Sequence, residues 1–438
     1  MKVVVAMDSF KGSITSLDAS RFVKNGVLAV YKDAQVETVT MSDGGDGFLT
    51  SLVRSMNAIT RTVSVVGPLG ETVSAQYGLV PETNTAIVEI SQAAGIDLVP
   101  EDKLVPVSTT TYGVGELIVD AINQGCKNFV VGLGGSATND GGMGMLQALG
   151  FEFVDKKGKL LGLGGGYLKS IENIKTAKAD SRLKECKFLV ACDVDNPLFG
   201  AKGATQVYGP QKGATPSMVK DLEGGLVNLS NVVKRTLGKT VATVPGAGAA
   251  GGLGYAFAAF LNGKLEPGSK VVGDVVKLED LIKACDVVVT GEGMIDGQSS
   301  HGKVPCSIAK LAKQYNKLVV ALAGTVEDDI GACLDAGIDA IFCVQRKPLP
   351  LSEAMNTLAV SNNISATTTQ VFRLIKSVLQ VKFDKETIES SNKQATNDNV
   401  APLDEKLSGD NAIFDGINPQ KSLNVDIDKL GDNALKNL

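Results

Sequence analysis

Residues 129–150, FVVGLGGSATNDGGMGMLQALG, decide how the rest of the chain is read. A short apolar run ends in Gly132-Leu133-Gly134-Gly135, a polar loop follows over 136–142, and 143–149 has the apolar spacing of a helix. A strand, a glycine loop and a helix start together aim unpaired backbone N–H groups and the positive end of a dipole at an anion. Five glycines between 132 and 142 let the backbone approach a ligand closely. A tight βα turn without a ligand would carry the same glycines. Ser136, Thr138, Asn139 and Asp140 in one loop favour an anion or metal–phosphate site instead.

The same unit recurs on either side. Residues 2–7 read as a buried strand turning off into Asp8-Ser9-Phe10-Lys11-Gly12, and 16–31 has helical spacing of apolar residues behind a Ser16 cap. A second strand, 36–41, runs into Ser42-Asp43-Gly44-Gly45-Asp46-Gly47 and an amphipathic segment, 48–56. Apolar strands alternating with helices specify a parallel sheet covered on both faces. Near residue 61 the period changes. Segments 62–66, 72–80 and 85–91 are strand-like and separated by turn residues, the pattern of an antiparallel meander.

Beyond a helix at 112–123 and the opening stretch come a strand at 188–192, a helix at 217–236 and a strand at 241–244. From Leu278 the βα rhythm returns, with strands at 286–290, 318–323 and 340–344 and a last helix at about 366–378. The predicted fold is α/β. A parallel-sheet domain of residues 1–62 and 276–378 carries a mixed α/β domain, 63–275, as an insertion, and 105–150 are left free to join the first core. Residues 379–438 differ in character. From 381 onward they hold 7 Lys and 11 Asp or Glu, a net of −4 out of −5 for the whole chain, with little apolar periodicity. They read as an acidic, disordered extension.

Bulk properties exclude several function classes. The 438 residues suffice for two cores, and 44% hydrophobic with 21% charged residues is ordinary for a soluble protein. Net charge of −5 and a pI near 5.3 leave no basic footprint for nucleic acid. The apolar run before Asp8 is too short for a signal peptide, and no uninterrupted span reaches membrane length. Seven cysteines without a CxxC pair fit a reduced cytoplasmic compartment. One histidine, His301, removes histidine metal sites and Ser-His-Asp triads. Oligomeric state is left open, homo-oligomer included.

Acidic or glycine-rich loops recur after Met7, Met41, Val131, Cys192, Val244 and Thr290, each at a predicted strand end. Ligands of open α/β sheets bind outside the carboxyl ends of strands, so six such loops point to a polar cleft handling phosphate and Mg²⁺. Two familiar motifs fail on context. Gly246-x-Gly248-x-x-Gly251 has the spacing of a dinucleotide fingerprint, but its acid, Glu266, is expected before the next apolar run, in Leu265-Glu266-Pro267-Gly268, and not at the end of a second strand. Gly297-x-x-x-x-Gly302-Lys303 resembles a P-loop, but Val304 replaces the hydroxyl that holds Mg²⁺. Lys11 lies just past a strand end, Asp193 ends an apolar strand, and Lys202 and Lys212 lie in glycine-flanked loops. Each also suits an ordinary turn or cap.

Taken together, DSFKGS (8–13), DGGDG (43–47), TYGVGELI (111–118), GLGGSATNDGGMG (132–144), ACDVDNPLFG (191–200), GPQKGA (209–214), PGAGAAGGLG (245–254) and GEG-x-x-DGQS-x-x-GKVP (291–305) resemble the type-1 glycerate kinases, in family order to about residue 376. The resemblance implies a flavodoxin-like domain with a second α/β domain inserted, and phosphorylation of D-glycerate by ATP with Mg²⁺, usually at the 2-hydroxyl. A 3-phosphoglycerate product, a nicotinamide-dependent oxidoreductase and a catalytically inactive binding protein are the alternatives. The family usually has arginine where this chain has Met294, and glutamate where it has Asp46. On this reading Gly134, Gly135, Ser136, Thr138, Asn139, Gly141 and Gly142 cradle nucleotide phosphates, and Asp140 and Asp193 meet Mg²⁺. Asp193 also orients the glycerate hydroxyl, and Lys11 offsets charge on the transferring phosphoryl. Asp8, Ser9, Asp43, Asp46, Glu292, Asp296 and Lys303 hold the substrate.

Overall fold

The computed structural model describes residues 1–41, 45, 47–297, 299 and 303–397, with side chains through 381. Strands β1 (Lys2–Met7) and β2 (Gln35–Thr40) begin one sheet, and β3 (Ile59–Val66), β4 (Thr72–Val80), β5 (Thr85–Glu89) and β6 (Asn128–Gly132) begin another. A small antiparallel pair, β7 (Glu152–Val154) and β8 (Asn173–Lys175), comes next. Then β9 (Lys187–Ala191) and β10 (Lys264–Glu266) complete the second sheet. The chain returns to the first sheet with β11 (Val287–Ile295), β12 (Leu318–Val326) and β13 (Ala340–Cys343).

The first sheet has the order β13-β12-β11-β1-β2 and is parallel throughout. Counted along the chain within that sheet alone, this is the doubly wound order of flavodoxin, with its switch point between β1 and β11. The second sheet, β10-β9-β6-β5-β4-β3, is parallel from β5 to β10 and antiparallel over β3 and β4. Residues 105–150 belong to this second sheet and not to the first. Their strand β6 pairs with β5 and β9.

The run KVVVAM explains why β1 is central. Alternate side chains leave a strand on opposite faces, and both faces of this one are covered. Val3, Val5 and Met7 pack with helix Ser16–Leu28 and with Ile364 and Phe372 of the last helix. Val4 and Ala6 join a core that also holds Phe48, Leu52 and, from the second sheet, Val80, Ile87, Val130 and Ala191. One apolar core thus lies between the sheets. A polar tie crosses the same boundary, where Leu49 N–H, at the start of helix Phe48–Ser55, donates to Glu89 Oε2 at 2.8 Å.

Five local expectations change. Thr15, not Ser16, caps the first helix by accepting from Asp18 N–H, while the Ser16 hydroxyl donates to the Met7 carbonyl. Residues 241–248 form turns where a strand was expected, so the glycine loop that follows lacks the strand a dinucleotide fingerprint needs. Glu266, expected outside a strand, in fact ends β10, where it pairs with Ala191, so the missing first strand is what removes the fingerprint. Strand β11 runs on through Ile295, because β12 continues beside it as far as Thr325 and Val326. The last helix spans Thr357–Asn397, so the acidic extension begins as its continuation; residues 398–438 lie outside those described. Among the described residues no helix is long and apolar enough to cross a membrane.

Candidate active site

The carboxyl ends of both sheets contribute to one cavity of about 310 Å³. Lys11 enters from the turn after β1 and Gly45 from beyond β2. Gly134, Gly135 and Ser136 enter from the end of β6, and Cys192, Asp193 and Val194 from the end of β9. Tyr208 and Lys212 come from the short helical turns beyond, and Ala249 and Ala250 close the wall. A neighbouring cavity of about 570 Å³ shares Asp193 and Tyr208 and adds Asp195, Glu266 and Lys303. Asp193 therefore stands at the junction of the two. Its Oδ1 accepts from Gly268 N–H at 2.9 Å, which fixes the side chain against the start of helix Gly268–Val275.

The glycine loop after β6 divides in two. Residues 134–136 face the cavity, whereas Thr138, Asn139, Gly141 and Gly142 are buried behind it. A side chain at Gly141 would meet Leu229, and one at Gly142 would meet Ala256, so both glycines serve packing of the loop. Gly251, the last glycine of the rejected fingerprint, lies against the Thr138 carbonyl in the same layer.

Asp140, expected to meet Mg²⁺, lies behind the cavity wall. Its fully buried carboxylate accepts from Thr111 N–H and Oγ1 at 2.9 Å each, from Gly142 N–H at 3.0 Å and from Gly144 N–H at 3.2 Å. The helix start does attract an anion, and that anion is the chain's own Asp140. Burial pushes this carboxyl up from its usual range, and the four donors act against that rise. Asp140 is not among the residues that line the cavity.

The expected substrate residues form a second group around β11. Ser299 Oγ donates to Glu292 Oε1 at 2.9 Å, and Lys303 Nζ lies 3.3 Å from Asp296 Oδ1 and 3.9 Å from Glu292 Oε2. Burial pushes the Glu292 carboxyl up, partly offset by Lys303 and Ser299. At Asp296 burial also raises the carboxyl, but Lys303 and Ser299 outweigh it and the net direction is down. Lys303 reaches the second cavity, while Glu292 and Asp296 are engaged mainly with their own neighbours. Asp8 is buried, with Oδ1 accepting from Ser9 N–H at 2.6 Å. Asp43, Asp46 and His301 lie outside the described residues.

Lys212 is the cavity residue that the sequence left among ordinary loop lysines. It is only 3% exposed, and its Nζ donates to Ser136 Oγ and to the Thr138 carbonyl at 2.7 Å each. Glycine on both sides of its short segment was the available signal, but exposed Lys202 has the same flanks. Met294 is exposed on β11. Among the described residues no group of three His, Cys, Asp or Glu side chains is placed to hold a metal by itself. Lysines, backbone N–H groups and one strand-end carboxylate suit an anionic substrate and a proton-accepting or metal-sharing Asp193.

Residues 3–376 match the model of the glycerate kinase family. A glycerate kinase of Halalkalibacterium halodurans is 46% identical over 81% of this chain and 93% of its own length. A glycerate 2-kinase of Escherichia coli K12 is 43% identical over 84% of this chain and 98% of its own. A crystal structure from Salmonella typhimurium LT2, given as a candidate glycerate kinase 2, superposes with a TM-score of 0.78 at 39% identity, covering 87% of this chain and 99% of that one.

Proposed function

The chain belongs to the glycerate kinase family, and we propose that it transfers the terminal phosphoryl group of ATP to the 2-hydroxyl of D-glycerate, giving 2-phosphoglycerate. The observation that supports this reading most is the cavity between the two sheets, where Lys11, residues 134–136 and Asp193 converge from three different strand ends. The name of the Escherichia coli relative supports the 2-position.

Phosphoryl transfer rests on positioning and charge neutralisation more than on covalent chemistry. Asp193, held through Oδ1 by the Gly268 N–H, orients the attacking hydroxyl and accepts its proton. Lys11 offsets charge on the transferring group as a point cation. Gly134, Gly135 and Ser136 bound the wall against which the phosphates lie, and Lys303 carries a positive charge into the adjoining cavity.

The residues fit a Mg²⁺ that arrives on the nucleotide, a mode that needs only one or two protein carboxylates, and among the described residues Asp193 is the carboxylate that lines the cavity. Bound there, Mg²⁺ supplies neutralisation of the β- and γ-phosphates. The test is a coupled ADP-release assay. ADP formation that requires both ATP and D-glycerate is expected, and its absence with D-glycerate would refute the reading.

A further inference from the structure

We infer that Lys212 and the Ser136 hydroxyl form an oxyanion subsite in the cavity wall, taking the carboxylate of the acceptor or a phosphate of the nucleotide. The inference rests on the kinase reading above and adds a residue to it.

A lysine is rarely fully buried unless it is paired with a carboxylate. Lys212 is buried, yet among the described residues both of its hydrogen-bond partners are neutral oxygens. The charge that acts on it is Asp140, whose carboxylate is already taken by three N–H groups and a hydroxyl. An ammonium has three donors and no acceptor, so two bonds leave one N–H for a third oxygen. Lys212 lines the cavity alongside Lys11 and Asp193, where an anionic ligand would supply that oxygen.

The backbone holds the side chain in this inward position. Lys212 ends the 3₁₀ turn Pro210–Lys212, and Gly213 follows at φ 86°, a conformation suited to glycine. A Cβ on Gly213 would lie 2.0 Å from the Leu104 carbonyl oxygen, so the turn packs closely against a neighbouring segment.

Burial brings the Lys212 ammonium down to about 7, with Asp140 acting in the opposite direction. Among the described residues, the other titratable groups lining the same cavity are Asp193 and Cys192 from the end of β9, Tyr208 from helix Ala204–Tyr208 and Lys11 from the turn after β1. An anion bound at Lys212 stabilises the charged form, so binding above neutral pH is accompanied by proton uptake.

The test titrates the full chain calorimetrically with D-glycerate and, separately, with a non-hydrolysable ATP analogue plus Mg²⁺. Lys212→Met should weaken one of the two ligands about ten- to hundredfold, the worth of a hydrogen bond to a charged group. Loss confined to D-glycerate assigns the carboxylate, and loss confined to the nucleotide assigns a phosphate. Both ligands binding a folded Lys212→Met chain within about twofold of wild type overturns the inference. If that variant does not fold, proton uptake decides. At pH 8 the wild type should take up a proton with one ligand, and Lys212→Arg should bind it without uptake. No uptake by the wild type with either ligand overturns the inference in that case. A wild type that makes no ADP from ATP and D-glycerate refutes the kinase reading. Normal wild-type turnover with unimpaired Lys212→Met binding refutes only the role of Lys212.

Discussion

Replacing Asp140 by asparagine separates a metal ligand from a structural clamp. In the native chain Oδ2 accepts from Thr111 N–H, Thr111 Oγ1 and Gly144 N–H, and Oδ1 accepts from Gly142 N–H. With the amide oxygen in the Oδ2 place, its NH₂ group faces the Gly142 N–H, so one buried donor loses its acceptor at about 1–3 kcal/mol. The three surviving bonds also change from charge-assisted to neutral, each weaker by about 1 kcal/mol, while loss of a buried charge offsets part of this. The net expectation is about 2–4 kcal/mol of lost stability, against the 5–15 kcal/mol typical of folded proteins. Asp140→Ala leaves all four donors without their carboxylate and should be more severe. Thermal unfolding by circular dichroism, with Mg²⁺ titration of turnover on the same samples, measures both roles. The clamp account predicts a lower melting temperature and an unchanged Mg²⁺ requirement. An Asp140→Asn protein that melts like wild type but needs far more Mg²⁺ would refute it.

Asp193→Asn should lower kcat by about 10²- to 10⁴-fold, the usual worth of a positioned base. Its melting should change little, because the asparagine oxygen can still accept from Gly268 N–H; near-normal turnover would remove Asp193 from the mechanism. Glu292 is raised above its usual 4.5 by burial, so its carboxyl favours folding below that pH and the contribution is lost as pH rises through the folded-state value. Urea unfolding at a series of pH values should therefore show wild type losing stability relative to Glu292→Gln as the pH rises above 4.5. Parallel curves would refute that assignment.

The first sheet was legible because a central parallel strand must be apolar on both faces, and runs such as KVVVAM in β1 announce this directly. The far half of β11 was not. Gly291 and Gly293 look like loop residues, but a Cβ on Gly291 would sit 2.0 Å from the Leu322 carbonyl oxygen, so that glycine admits the neighbouring strand. Residues 134–136, Lys11 and Asp193 were placed correctly at strand ends, since strand-end position can be read from local apolar runs. The donors around Asp140 were not legible, because two of the four belong to Thr111, 29 residues upstream, and only the fold brings them to it. The same holds for Lys212, which meets Ser136 across 76 residues. Local sequence distinguishes it poorly from Lys202, and burial distinguishes them at once.

The most direct test of the central claim is the position of phosphate in the product. The full chain, incubated with ATP, Mg²⁺ and D-glycerate, is followed by proton-coupled ³¹P spectroscopy. A phosphate on the 2-hydroxyl is split by a single carbon-bound proton into a doublet, and one on the 3-hydroxyl is split by two into a triplet-like pattern. The account predicts a new doublet that grows in step with ADP. A triplet in its place would contradict the 2-position, and the absence of any new phosphomonoester would contradict glycerate phosphorylation itself.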